Sequence, residues 1–153
     1  MRETWSRSPL VPVVLVALAL TVMATSGCSS DSSKGGPINK INWVLTAYSD
    51  GGTLKDAPEG TEGSAWFADD DVTGVVVNTY QGTFVTGPTG AVTAAGPFTT
   101  SKMAGPPDLM AVEAAYLANL EKTTSFYSDG KTLKLYGEGD EVLLVYKAAP
   151  ATP

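Results

Sequence analysis

Residues 106–147, PPDLMAVEAAYLANLEKTTSFYSDGKTLKLYGEGDEVLLVYK, decide the fold class. Beyond Pro106-Pro107, the run from Leu109 to Thr123 contains no Gly or Pro. Leu109, Val112, Tyr116, Leu117 and Leu120 recur at helical spacing on one face, with Glu113, Asn119 and Lys122 between them. Asp108 is placed to cap this helix, where its carboxylate suits the positive end of the helix dipole. The period then changes. Ser125 to Ser128 leads to Asp129-Gly130, a two-residue hairpin signal, and Leu133 and Leu135 alternate beyond it. Gly139-Asp140 turns the chain again. In Glu141 to Lys147, Val142, Leu144 and Tyr146 share one face while Leu143 and Val145 share the other, which predicts a central or helix-covered strand.

Upstream of the helix the chain reads as short strands. Ile41 to Tyr48 alternates, with Trp43, Leu45 and Ala47 on one face, and Asp50-Gly51-Gly52 breaks it. Residues 49–64 are polar and Gly-rich and read as a long loop. Ala65 to Ala68 is a second strand, Asp69-Asp70-Asp71 a turn, and Val72 to Asn78 a third strand. Gly82 to Thr86, Ala91 to Ala94 and Phe98 to Ser101 are weaker strands, the first two separated by Gly87-Pro88-Thr89-Gly90. Many short strands around one helix predict an α+β, mostly β fold: a curled antiparallel sheet or small lipocalin-like barrel with one packed helix.

The start of the chain is of another kind. Arg2 and Arg7 precede an apolar run from Leu10 to Ala24, too short for a span of about 20 residues and suited to a secretory signal. The run ends in Thr25-Ser26-Gly27-Cys28, which looks like a lipobox, with small residues before a cysteine that is acylated and becomes the new N-terminus. Cys28 is the single cysteine of the chain, so no intramolecular disulfide or thiolate metal cage can form. Residues 1–27 therefore read as a lipoprotein signal peptide and 28–37, rich in Ser, Gly and Asp, as a flexible tether. Residues 38–147 form the domain and 148–153 a loose tail. This predicts a secreted protein anchored by lipid to the outer face of a bacterial membrane.

Composition excludes several functions. The 153 residues hold 10 Lys and Arg against 16 Asp and Glu, a net charge of −6, so a nucleic-acid partner is not expected. Removing residues 1–27 leaves 8 cations against 15 carboxylates, or −7; an acidic domain is repelled by anionic lipid, so contact with the membrane is expected from the acyl chains and not from a basic patch. There is no His, which removes imidazole metal ligands and Ser–His or Cys–His catalysis. Asp69-Asp70-Asp71 lacks the alternation of an EF-hand loop and reads as a solvated turn. Gly35-Gly36 and Gly51-Gly52 have no following helix to hold a phosphate. No cofactor and no metal is implied.

Five pieces in order resemble the META domain, the HslJ-like family of small bacterial envelope proteins, over most of residues 43–147. These are Trp43 and Leu45; Gly74-Val75-Val76-Val77-Asn78-Thr79-Tyr80-Gln81-Gly82; Ser101-Lys102-Met103-Ala104-Gly105; Glu113 with Tyr116-Leu117 and Leu120; and Gly130-Lys131-Thr132-Leu133-Lys134-Leu135. Val77 and Gly105 stand where many family members carry Cys, which implies that the two positions face each other. The resemblance implies a curved antiparallel sheet with one helix packed on it. It implies no settled activity, and relatives are linked to heat shock, envelope stress or drug tolerance. Asn78, Tyr80 and Met103 are the candidate pocket or motif residues. The expected function is non-catalytic: envelope maintenance or stress response through binding of an unknown envelope protein. The alternative is a small carrier that holds an apolar ligand inside the curled sheet.

Overall fold

The computed structural model describes residues 36–87 and 91–150. The expected signal peptide, Cys28, the expected tether as far as Gly35, Pro88-Thr89-Gly90 and residues 151–153 lie outside the described residues.

Among the described residues, ten strands and one α-helix follow in order: β1 Asn42–Asp50, β2 Thr53–Asp56, β3 Ser64–Ala68, β4 Asp71–Val75, β5 Thr79–Thr86, β6 Val92–Ala94, β7 Thr99–Thr100, α1 Pro107–Glu121, β8 Ser125–Ser128, β9 Thr132–Tyr136 and β10 Val142–Ala148. The strands form one antiparallel sheet in the order β6-β5-β4-β3-β1-β10-β9-β8, with β2 beside β1 and β7 beside β5. The two edges meet where Ala91 bridges Ser125 and the Val92 N–H donates to the Thr124 carbonyl at 2.9 Å. The sheet therefore curls almost into a barrel, as the sequence predicts.

The interior is filled. Trp43, Val72, Tyr116, Leu120, Leu133, Leu144 and Tyr146 are completely buried, together with Phe67, Tyr80 and Phe84 at no more than 4% exposure. Residues 36–40 cross the end of the barrel where β1 starts. The Gly36 N–H donates to the Ser128 carbonyl, Ser128 Oγ donates to the Pro37 carbonyl at 3.2 Å, and the Trp43 indole donates to the Ile38 carbonyl at 2.9 Å. Gly36 and Pro37 are thus bound to the domain instead of belonging to a tether.

Several sequence expectations change. Residues 49–64 are not all loop. Gly51 and Gly52, at φ +59° and +82°, make a two-residue turn with the twist that a hairpin needs, and β2 folds back on β1. An ion pair of 2.6 Å between Lys55 and Asp50 spans it. The third strand ends at Val75, because residues 76–78 bend out of the sheet. Asp108 does not cap α1. Pro106 stands at the cap position with no side-chain bond, and Asp108 only contributes its charge to the first turn. The connection after β8 is three residues, Asp129 to Lys131, instead of two. Asp129 Oδ1 accepts the N–H groups of Lys131 and Thr132 there, which holds its carboxyl below the usual range. The register of β10 shifts between Val142 and Leu144, so Leu143 and Leu144 are both buried instead of facing opposite ways. β10 itself lies between β1 and β9, a central strand as expected. Ala148 belongs to β10, and the Ala149 N–H donates to the Asn42 carbonyl at 2.7 Å, so the tail starts later than residue 148.

Candidate functional site

The two motif segments before the helix meet at Asn78. It sits in the bend between β4 and β5, 1% exposed, and its side chain uses both ends. Nδ2 donates to the Met103 carbonyl at 3.1 Å and to Glu113 Oε1 at 2.9 Å. Oδ1 accepts from Ser101 Oγ at 2.9 Å and from the Met103 N–H at 2.6 Å. One amide thereby pairs with the 101–103 segment as a backbone strand would.

Glu113 completes the arrangement from the helix. The residue is 5% exposed, and Oε2 accepts the backbone N–H groups of Val77 (3.0 Å) and Asn78. With the Asn78 Nδ2 bond, three N–H groups hold one buried carboxylate. Hydrogen bonds to a charged group stabilise by about 1.5–3 kcal/mol each, and here they replace the water that a buried carboxylate gives up. The sequence reading set Glu113 and Asn119 between the apolar positions of the helix, yet both are buried on the same stripe as Val112, Tyr116 and Leu120. The signal was present in the spacing. Glu113 lies three residues before Tyr116 and seven before Leu120, and Asn119 lies three after Tyr116. Asn119 Nδ2 donates to the Ser49 carbonyl at 2.7 Å, tying the far end of the helix to β1.

Tyr80 points away from Asn78 into the core, 3% exposed. Its hydroxyl donates to the Ser64 carbonyl at 2.8 Å and lies 2.6 Å from the Tyr116 hydroxyl, which accepts from the Tyr146 hydroxyl at 2.9 Å. The Tyr80 proton is committed to Ser64, so Tyr116 donates to Tyr80 and the chain runs one way, from Tyr146 to the carbonyl. Gly74 makes this possible. A Cβ there would lie 1.9 Å from the Ser64 oxygen and 2.6 Å from the Tyr80 hydroxyl. Burial pushes all three hydroxyls well above the ordinary tyrosine value, so they stay protonated.

Met103 departs from the expectation. Its side chain is 62% exposed and only its backbone serves the Asn78 network. The three sequence-selected residues thus do not line a common pocket. Asn78 is a brace, Tyr80 a core residue, and Met103 a surface side chain on a braced loop. Tyr80 borders an open depression of about 320 Å³ shared with Thr79, Gln81, Thr99, Thr100 and Ser101. A larger groove of about 580 Å³ lies elsewhere, at the C-terminal end of α1, between Glu121, Lys122, Thr93, Glu138, Glu141 and Leu143. Its walls are mixed and charged, not the apolar lining of a lipid-carrying cavity.

A nearly closed antiparallel sheet, a single helix across it and an Asn–Glu brace joining the two define a small barrel-like α+β domain. The chain belongs to the META domain family, whose model matches residues 37–150. No curated protein sequence matches it significantly. A protein solved by NMR superposes with a TM-score of 0.56 at 18% identity, covering 76% of this chain and 95% of its own. A DUF4847 family protein from Bacteroides vulgatus, known from a crystal structure, gives 0.49 at 17% identity over 75% of this chain and 96% of its own. The first likeness is one of fold.

Proposed function

We propose that this chain is a lipid-anchored protein of the bacterial cell envelope whose META domain acts by binding, without catalysis, in envelope maintenance or stress response. The observation that carries the reading is the division of the chain. The META match begins at residue 37, nine residues after Cys28, and the lipobox-like Thr25-Ser26-Gly27-Cys28 and a short Ser-rich stretch stand before it in the sequence. Among the described residues no helix is long and apolar enough to cross a membrane. The polar groups that could have suggested chemistry are engaged. Glu113 is surrounded by N–H donors, and the tyrosine hydroxyls bond one another inside the core. The packed interior argues against the carrier alternative, since Trp43, Tyr116 and Tyr146 occupy the space that an apolar ligand would need.

The test is Cys28→Ala in the full chain. Metabolic labelling with a fatty-acid analogue should disappear and the protein should leave the membrane fraction. Labelling that persists in the variant overturns the anchoring. Reproducible turnover in esterase, peptidase or phosphatase panels, lost in a point mutant, overturns the non-catalytic reading.

A further inference from the structure

The charge of the domain is unevenly placed. Across the five neighbouring strands β8, β9, β10, β1 and β3, the outward side chains can be read from the register. Tyr127 pairs with Lys134 and Lys134 with Val145; Thr132 pairs with Lys147, Lys147 with Val44 and Val44 with Ser64; Asn42 pairs with Trp66. Trp66 is therefore a diagonal neighbour of Val44. Trp66, Val44 and Tyr127 are exposed at 41%, 39% and 38%. Asp50 is the one carboxylate within these five strands; it lies at the far end of β1 and is paired with Lys55. In a chain of net charge −6, the outward side chains of these strands include Lys134, Lys147, Trp66, Tyr127, Tyr136, Val44, Val142 and Val145, with no carboxylate among them near the start of β1; exposed Glu62 lies just before β3, beyond Ser64.

The wall also lies where the chain enters. Gly36 is bonded to Ser128 at the end of β8, and Asn39 and Lys40 pair with Phe67, next to Trp66. Eight residues join Gly36 to Cys28, a reach of at most about 28 Å. A random coil of Ser- and Gly-rich composition and this length has a mean end-to-end distance of about 16 Å. Resting on the anchoring reading above, we infer that this outer wall lies side-on against the lipid surface, with Trp66 and Val44 at the headgroup level and Lys134 and Lys147 over anionic headgroups. Trp and Tyr suit that depth because an apolar ring carries a polar edge, and each lysine near an anionic surface contributes about 1 kcal/mol. The barrel end itself does not face the lipid, since Asp69, Asp70 and Asp129 occupy its turns. The tether converts a weak contact into an intramolecular one, which raises its occupancy without any larger patch.

The experiment uses the mature chain, lipidated at Cys28 and reconstituted into phosphatidylcholine vesicles with or without phosphatidylglycerol, carrying brominated acyl chains. Bromine quenches an indole that approaches the acyl boundary. Trp5 lies in the leader and Trp43 is fully buried, so Trp66 is the reporter. The expected result is a blue shift and loss of emission on brominated vesicles, strongest with phosphatidylglycerol. This loss should disappear in Trp66→Phe and diminish in Lys134→Glu with Lys147→Glu. Unquenched emission from a chain that is lipidated by mass and floats with the vesicles overturns the docking alone. Quenching that survives Trp66→Phe, or cross-linking that places a second copy over Trp66, also overturns it. A chain that is unlipidated and does not float overturns the anchoring reading, and the docking with it.

Discussion

The side chain of Val77 occupies the space that a Cβ on Gly105 would fill: an ideal Cβ there would sit 2.6 Å from Val77 Cγ1. Val77 leaves the sheet just after β4 and Gly105 lies just before α1, 28 positions apart in sequence. The adjacency is the one that the META resemblance implies for two positions often held by cysteine. Here one branched side chain and one absent side chain share the volume.

From this contact, Val77→Cys with Gly105→Cys should oxidise spontaneously in air. A Cβ on Gly105 would lie within about 4 Å of the Val77 Cβ, inside disulfide reach. Gly105 has no positive φ, so a side chain meets no backbone strain there. A loop of this length corresponds to about 3 kcal/mol on the chain-entropy model. The oxidised form should melt above its own reduced form. Two free thiols by mass spectrometry after air exposure would contradict the geometry. Gly105→Ala alone should destabilise by about 1–3 kcal/mol, because the added methyl crowds Val77 and Met110.

The Asn78–Glu113 brace predicts large effects from small changes. Asn78→Ala leaves Glu113 Oε1 and the Met103 N–H without their partners, at a cost of about 2–4 kcal/mol. Glu113→Gln keeps the shape but faces a second amide donor toward Asn78 Nδ2 or toward two backbone N–H groups. It should cost about 1–3 kcal/mol. Chemical denaturation measures both, and a midpoint unchanged from the parent in either variant contradicts the brace.

The tyrosine chain sets the alkaline limit. The folded state holds the protons of Tyr80, Tyr116 and Tyr146 above the ordinary tyrosine value, first because the hydroxyls are desolvated. A folded-state value raised above the unfolded one gives stability that is complete below about pH 10 and lost as pH rises above it. In an absorbance titration at the phenolate band, Tyr80, Tyr116 and Tyr146 should ionise only together with unfolding.

Within that chain, the central hydroxyl matters more than the last. Tyr116→Phe leaves the Tyr146 hydroxyl with no acceptor and should cost about 1–3 kcal/mol. Tyr146→Phe removes only a donor to Tyr116 and should cost less. Equal melting points for the two variants would show that the protons do not run in the stated direction.

A filled interior also predicts a null binding result. A fluorescent fatty acid titrated into the folded, unlipidated Cys28→Ala chain should show no saturable enhancement. One-to-one saturation would restore the carrier reading, with the interior rearranged to admit the ligand.

The sequence alone carried the order of the elements other than β2, the helix before β8, the central place of β10 and the inward face of β1, because alternation and 3.6-residue spacing follow from local backbone geometry. The motif residues Asn78, Tyr80 and Glu113 could also be marked by resemblance. What each does was decided only by tertiary structure. The register shift in β10 turns two successive leucines inward, and no periodicity records such a shift. The two glycines that break β1 also return it as β2, since a turn and a hairpin share the same residues. Glu113 can lie on the buried stripe because Val77, Asn78 and the 101–103 segment, distant in sequence, bring N–H groups to it. A buried carboxylate is stable only beside its donors, and the donors meet it only when the sheet has curled and the helix has crossed it.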